Sequence, residues 1–247
     1  MIPQKRVKAS GPKNAKIAIV GMAPAKEECL EGRPFVGPSG RILNESLASF
    51  GVSRKDVFVT NILEFPLYGK NVFDVSEAQR APEVARLRAE LEEVHPNVII
   101  PLGDEPLQIL CGKKGILKWR GSIIPCTLVE GLKCVPSVHP AWIIRGMWKW
   151  LPVFMSIDIA RAIVQSKFPE ILYEPKHCIT GPSFSTVINF IEECHQYEYL
   201  SVDIECYGFT KYGMGEISCV GIGAKRTALC IPFVRSGKIP YWTEREE

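Results

Sequence analysis

The 247-residue sequence holds no C-x-x-C pair among its nine cysteines, and no strong excess of either charge, with 30 Lys and Arg against 27 Asp and Glu. It also lacks any apolar run near the ~20 residues that a bilayer-crossing helix needs. Each absence excludes something. An odd number of cysteines without framework spacing argues against a disulfide-stapled scaffold and for reduced, buried thiols. The polar, basic N-terminus (Lys5, Arg6, Lys8, Lys13, Lys16) has no apolar core of a secretion signal. A net charge of +3 is too small to announce a nucleic-acid binder by itself. The chain shows no internal repeat and no low-complexity segment. The expectation is a soluble, cytoplasmic protein with no membrane contact.

What is present is ordinary in the mean and uneven along the chain. Hydrophobic residues make up 46% and charged residues 23%, which suits a buried core and argues against wholesale disorder. The length suits one large domain or two unequal ones. Residues 1–170 carry 23 basic and 17 acidic side chains, whereas residues 171–247 carry 7 and 10. Opposite signs suggest two parts with different jobs.

Hydrophobic patterning predicts strands over 17–20, 57–61, 97–102 and 133–137. Helices are predicted over 40–50, capped by Ser39, and over 76–94, 104–111 and 154–165. This alternation implies an α/β fold, a three-layer αβα arrangement with a central four-stranded parallel sheet. Ligands of such sheets bind at the carboxyl ends of the strands, here Gly21, Asn61, Gly103 and His139. The Gly- and Pro-rich loop 21–40 is long for a compact α/β unit, which marks it as a candidate functional loop.

Four clusters fall on those strand ends: Gly21-Met22-Ala23-Pro24-Ala25, the run Gly32-Arg33-Pro34-Phe35-Val36-Gly37-Pro38-Ser39-Gly40, Thr60-Asn61, and His139-Pro140-Ala141. Together with Leu102-Gly103, Trp119-Arg120-Gly121 and Trp142-Ile143-Ile144-Arg145, and in this order, they resemble the uracil-DNA glycosylase superfamily over roughly residues 15–165. The likeness is nearest to family 4 and to the related domain fused to some phage DNA polymerases. Removing a base requires flipping the nucleotide into a pocket that stacks on its face and reads its edge. The resemblance implies Phe35 as the stacking ring and Asn61 as the amide pairing with uracil, with Gly21, Met22 and Ala23 in the same binding loop. His139 is implied as the catalytic donor beside the oxygen where negative charge gathers. Ser39, Gly40, Pro140, Ala141 and Arg145 are implied as DNA contacts, partly through backbone amides opening a helix.

Two departures bear on chemistry. Family 4 enzymes usually carry an acidic residue directly after the first glycine, where this chain has Met22; Glu27 and Glu28 match a later part of the motif. A missing general base typically costs 10²–10⁴-fold. The family also holds an iron–sulfur cluster on four cysteines. Here the N-terminal C-x-x-C is absent and Glu64-Phe65 stands where the third ligand would lie, so no cofactor is expected for this domain.

Past a stretch with three prolines (169, 175, 182), a helix over 185–194 precedes strand-like runs at 199–203, 216–223 and 227–232, the beginning of an antiparallel meander. Asp203 and Glu205 fall two apart in an apolar run, which puts both on one face. Two such carboxylates can share divalent metals for phosphodiester hydrolysis. The segment resembles the opening of the 3′–5′ exonuclease domain of family-A DNA polymerases, with Cys206 where a threonine is common. That likeness implies an incomplete RNase H-like segment, Mg2+ or Mn2+ as the cofactor of a complete domain, and further acidic motifs downstream.

The expected organisation is a glycosylase-like domain over 1–168, a linker over 169–182 and a truncated exonuclease-like domain over 183–247. The expected function is removal of a flipped uracil from DNA, single-stranded or uracil-containing, by the N-terminal part of a phage-type polymerase. On that reading the polymerase region belongs to the same full-length chain and the protein works in the host cytoplasm. The alternative is a non-catalytic uracil-sensing or template-binding module; Met22 favours it, while Phe35, Asn61 and His139 favour the enzyme.

Overall fold

The computed structural model describes residues 6–172, 177–208, 215–235 and 239–243, so residues 173–176 of the expected linker lie outside it. The chain divides into two compact units, Met1–Ile171 and Leu172–Glu247.

In unit 1 the elements run β1 (Ile17–Gly21), α1 (Lys26–Glu31), α2 (Pro38–Ala48), β2 (Phe58–Asn61), α3 (Glu77–Val94), β3 (Val98–Pro101), α4 (Asp104–Cys111), α5 (Ile116–Trp119), β4 (Ile124–Pro125), β5 (Lys133–Cys134), α6 (Pro140–Ile144) and α7 (Leu151–Gln165). The sheet order is β2-β1-β3-β5-β4. Strands β2, β1, β3 and β5 are parallel, and β4 pairs antiparallel with β5. The sheet therefore has five strands rather than the expected four. A two-residue strand such as Ile124–Pro125 is too short to show any periodicity in sequence.

Every residue of β1, β2 and β3 is buried, as in strands covered on both faces. Alternation splits β1 between two cores. Ala18 and Val20 join Leu87, Leu91, Leu107 and Leu110 from α3 and α4; Ile17 and Ile19 join Leu43, Leu47, Met155 and Ile159 from α2 and α7. The three-layer expectation rests on this covering. Helix α2 begins at Pro38 with Gly37 as its N-cap, not at Gly40 behind Ser39. Proline fits the first helical position because its fixed φ is helical and no N–H is wasted there, so Ser39 falls inside the first turn.

Unit 2 contains β6 (His177–Ile179), α8 (Phe184–Cys194), β7 (Ser201–Tyr207), β8 (Glu216–Ala224), β9 (Thr227–Pro232), β10 (Val234–Arg235) and β11 (Ile239–Pro240). Strands β7, β8 and β9 form the antiparallel meander expected from sequence, and β6 adds parallel to β9 in the order β6-β9-β8-β7. Helix α8 starts where the Ser183 hydroxyl accepts the Thr186 N–H, and its Val187, Phe190 and Cys194 pack with Ala224 and Leu229. Among the described residues, no helix is long and apolar enough to cross a membrane.

Candidate active site

Parallel pairing brings the strand ends level: Val20 pairs with Thr60 and Pro101, and Gly21 with Asn61. At Gly21 nothing larger fits. A Cβ there would stand 2.4 Å from Asn61 Oδ1 and 2.7 Å from the Phe35 ring. Glycine thus lets the amide and the ring close over the end of β1. Gly40 is the second close approach, since its Cβ would lie 1.8 Å from the Phe35 carbonyl oxygen. Phe35 itself has φ 54°, a left-handed backbone that L-residues other than glycine rarely adopt. The tight packing of Gly21 and Gly40 around it holds that conformation.

The Phe35 ring centre lies 6.1 Å from that of His139, inclined by 36°. His139 caps α6: its Nδ1 accepts the Ala141 N–H at 3.1 Å. Burial lowers its pKa to about 4, with the Arg145 charge adding to the effect, so the ring is neutral near pH 7. With Nδ1 committed as an acceptor, the neutral ring carries its proton on Nε2 and can donate from there.

Phe35, Asn61 and His139 line one small cavity of about 60 Å³ with Ala23, Pro24, Ala25, Glu28 and Ser39. A wider groove of about 550 Å³ shares Ala23, Pro24, Ala25, Ser39 and His139 and adds Met22, Ala141, Trp142 and Arg145. Phe35, Asn61, His139, Ala23 and Ser39 thus gather around a small cavity that shares its wall with the wider groove. Met22 lies in the groove with its side chain against the core. Gly21, Gly40 and Pro140 are buried, and Arg145 is exposed. Glu28 is no free base. Its two carboxylate oxygens accept the N–H groups of Ala25, at 3.0 Å, and Gly37, at 3.1 Å.

Two supports that sequence reasoning missed hold these groups from behind. Arg86 Nη2 donates to the carbonyls of Asn61, at 2.8 Å, and Ile62, at 2.9 Å. Its charge is balanced by Glu83 at 3.2 Å and Glu90 at 2.7 Å, and Arg6 joins Glu64 and Glu83 beside it. On the other flank, Asp158 is fully buried and receives Arg120 at 2.7 and 3.0 Å and the Ser137 hydroxyl at 2.9 Å. Burial pushes the Asp158 carboxyl up to about 6 against the pull of Arg120 and Ser137. Ser137 lies two residues before His139, so this pair anchors the turn that presents the imidazole. Arg86 carries no sequence signal, because a charged residue on a helix usually marks a solvated face. For Arg120 the Trp119-Arg120-Gly121 cluster was the available clue.

At the place where the resemblance implies an iron–sulfur ligand, Glu64 is tied to Arg6 and Arg86; Cys29, Cys111, Cys126 and Cys134 are buried free thiols, and among the described residues no group of three His, Cys, Asp or Glu side chains is placed to hold a metal ion.

In unit 2, Asp203 and Glu205 stand on β7 opposite Gly221 and Cys219, both exposed. The Asp203 Oδ1 accepts the N–H of Ile204 at 3.1 Å. A bulge at Glu205/Cys206 shifts the register just beyond them.

Residues 9–153 match the family model described as the Uracil DNA glycosylase superfamily. Among curated proteins, a type-4 uracil-DNA glycosylase of Thermotoga maritima is 33% identical over 158 residues, 63% of this chain and 80% of that protein. Another, from Archaeoglobus fulgidus, is 40% identical over 93 residues, 38% of this chain and 46% of that protein. A DNA polymerase of Bacillus phage SP01 is 28% identical over 168 residues, 67% of this chain but 18% of the polymerase.

Proposed function

The chain belongs to the uracil-DNA glycosylase superfamily, and on that premise we propose that unit 1 binds uracil flipped out of DNA and hydrolyses its N-glycosidic bond, slowly. The observation that carries the proposal is the chamber in which Phe35, Asn61 and a neutral His139 meet. Phe35 stacks on the base, Asn61 pairs with its polar edge, and Gly21 and Ala23 let the backbone come close. As the bond to the sugar lengthens, negative charge collects on the departing base. A donor fixed in place stabilises that charge without reorganising, an effect of about 10²–10³ for one such group. His139 Nε2–H supplies it, with Ala141 N–H fixing the tautomer. Ser39 and Arg145, on the groove wall, contact the DNA backbone.

Water activation is the weak step. Met22 offers no carboxylate, and Glu28 spends both oxygens on backbone amides, so the attacking water has no strong base and the rate is low. The same apolar Met22 favours the second reading, a module that holds uracil without cutting. We further propose that no iron–sulfur cluster is bound and that the ion pairs around Glu64 and Glu83 stabilise this region instead.

The likeness to the phage polymerase supports a place within a replicative chain, with modules at 1–168 and from 183 onward joined by the 169–182 segment. In the second module Asp203 and Glu205 would hold Mg2+ or Mn2+ for phosphodiester hydrolysis once further carboxylates complete the site.

Incubation with single- and double-stranded DNA carrying one uracil, followed by detection of abasic sites, tests the reading. Slow cleavage by the natural chain that rises in Met22→Glu is the expected result. Binding of uracil DNA without cleavage, and cleavage gained only in Met22→Glu, would leave the sensing module as the correct reading.

A further inference from the structure

Phe35 is also part of the wall of a second cavity, about 360 Å³, which the base chemistry leaves unused. Three cations line it, Arg33, Arg54 and Lys55, against one carboxylate among the described residues, Glu31. Glu31 and Arg33 meet at 3.0 Å with both side chains mostly in water, a pair that neutralises little. Arg54 is less satisfied. It is partly buried, and its one bond among the described residues is a long 3.4 Å contact to the Val57 carbonyl. Burial lowers its guanidinium below the ordinary range, and the facing charge of Arg33 lowers it further. From α2, Asn44 reaches the same wall, and its Oδ1 is buried with no hydrogen-bond partner.

Like charges lining one cavity, with Arg54 partly buried, cost free energy that an anion among them would recover. A guanidinium grips phosphate with paired N–H groups. We propose that this cavity is a phosphate-binding site, in which Arg33, Arg54 and Lys55 hold the phosphate. The phosphate comes from a DNA strand or from a free nucleotide. Because Phe35 and its loop wall both cavities, an occupied phosphate site steadies the ring that faces the base. The site requires no bond cleavage, so it stands or falls separately from the glycosylase reading.

The test uses the full chain. A short uracil-free single-stranded oligonucleotide is titrated by fluorescence anisotropy over a range of NaCl concentrations, and deoxyuridine monophosphate and inorganic phosphate are tested by thermal shift. Arg54→Gln should weaken oligonucleotide binding about tenfold and flatten the dependence of log K on log salt by roughly 0.7–1. Lys55→Gln alters an exposed side chain at low risk to folding and should produce a smaller change in the same direction. If both variants lose only the thermal stabilisation by the monophosphate, the site takes free nucleotide. Oligonucleotide affinity, salt slope and monophosphate stabilisation all unchanged in both folded variants would overturn the proposal.

Discussion

In unit 1, Asn61 ends β2, a strand buried along its length, and His139 caps α6; each is held from behind, Asn61 by Arg86 and the His139 turn by Asp158 and Arg120. On β7 of unit 2, Asp203 and Glu205 project from an exposed strand, and the Asp203 carboxylate accepts from its own neighbour's amide. The same residue classes therefore carry different energetic weight. A polar group in a covered sheet must be satisfied and is thereby fixed in position, whereas an exposed carboxylate is solvated and free to adjust. On the proposed function, fixed groups suit recognition of a rigid base, and adjustable ones would suit metal ligands that further carboxylates complete.

The largest expected break in this contrast is Arg120→Met. It would strand the buried Asp158 charge and cost about 3–5 kcal/mol in denaturant unfolding of the full chain. Next is His139→Ala, expected to lower the single-turnover rate on uracil DNA about 10²–10³-fold. The pH dependence sharpens that prediction. Because the folded pKa of His139 is lowered to about 4, the rate should stay flat from about pH 8 to 5 and fall only as the ring protonates near 4. The sign for stability follows: the unfolded histidine takes its proton first, near its ordinary ~6.5, so the His139 contribution to stability is lost as pH falls from there toward about 4. Arg86→Lys keeps the charge and loses the fork on two carbonyls. About tenfold in rate should go, with KM for uracil DNA rising, since Asn61 would no longer be held in register. The smallest effect belongs to unit 2. Asp203→Asn with Glu205→Gln should shift unfolding by no more than about 0.5 kcal/mol and leave uracil removal unchanged. A large destabilisation from that pair would erase the contrast.

Much of unit 1 was legible before any coordinates. The apolar runs at 17–20 and 97–102 read as strands of a covered sheet and are observed as Ile17–Gly21 and Val98–Pro101, and the expected strand ends mark Gly21, Asn61 and His139 as neighbours. Four short elements are not legible: β4, α1, α5 and α6, of two to six residues, give no period that repeats. The start of α2 was misplaced because serine is a common cap, while proline at the first helical position outweighed it. The cavity beside Arg54 had no signature, since Arg33 and Arg54 are 21 positions apart and meet only through the fold.

The sequence alone determined which residue types could form the site: a flat ring, an amide, an imidazole and the glycines that make room for them. It also puts Met22 where the resemblance to family 4 implies a carboxylate. Only the tertiary structure decided the state of those groups. Burial and Arg145 make His139 neutral, Ala141 sets its tautomer, Gly37 and Ala25 occupy Glu28, and Arg86 fixes the backbone of Asn61. The physical reason is that residue identity supplies the atoms that can bond or ionise. Their protonation and orientation depend on the solvent excluded and the partners brought near, and both are properties of packing across distant parts of the chain.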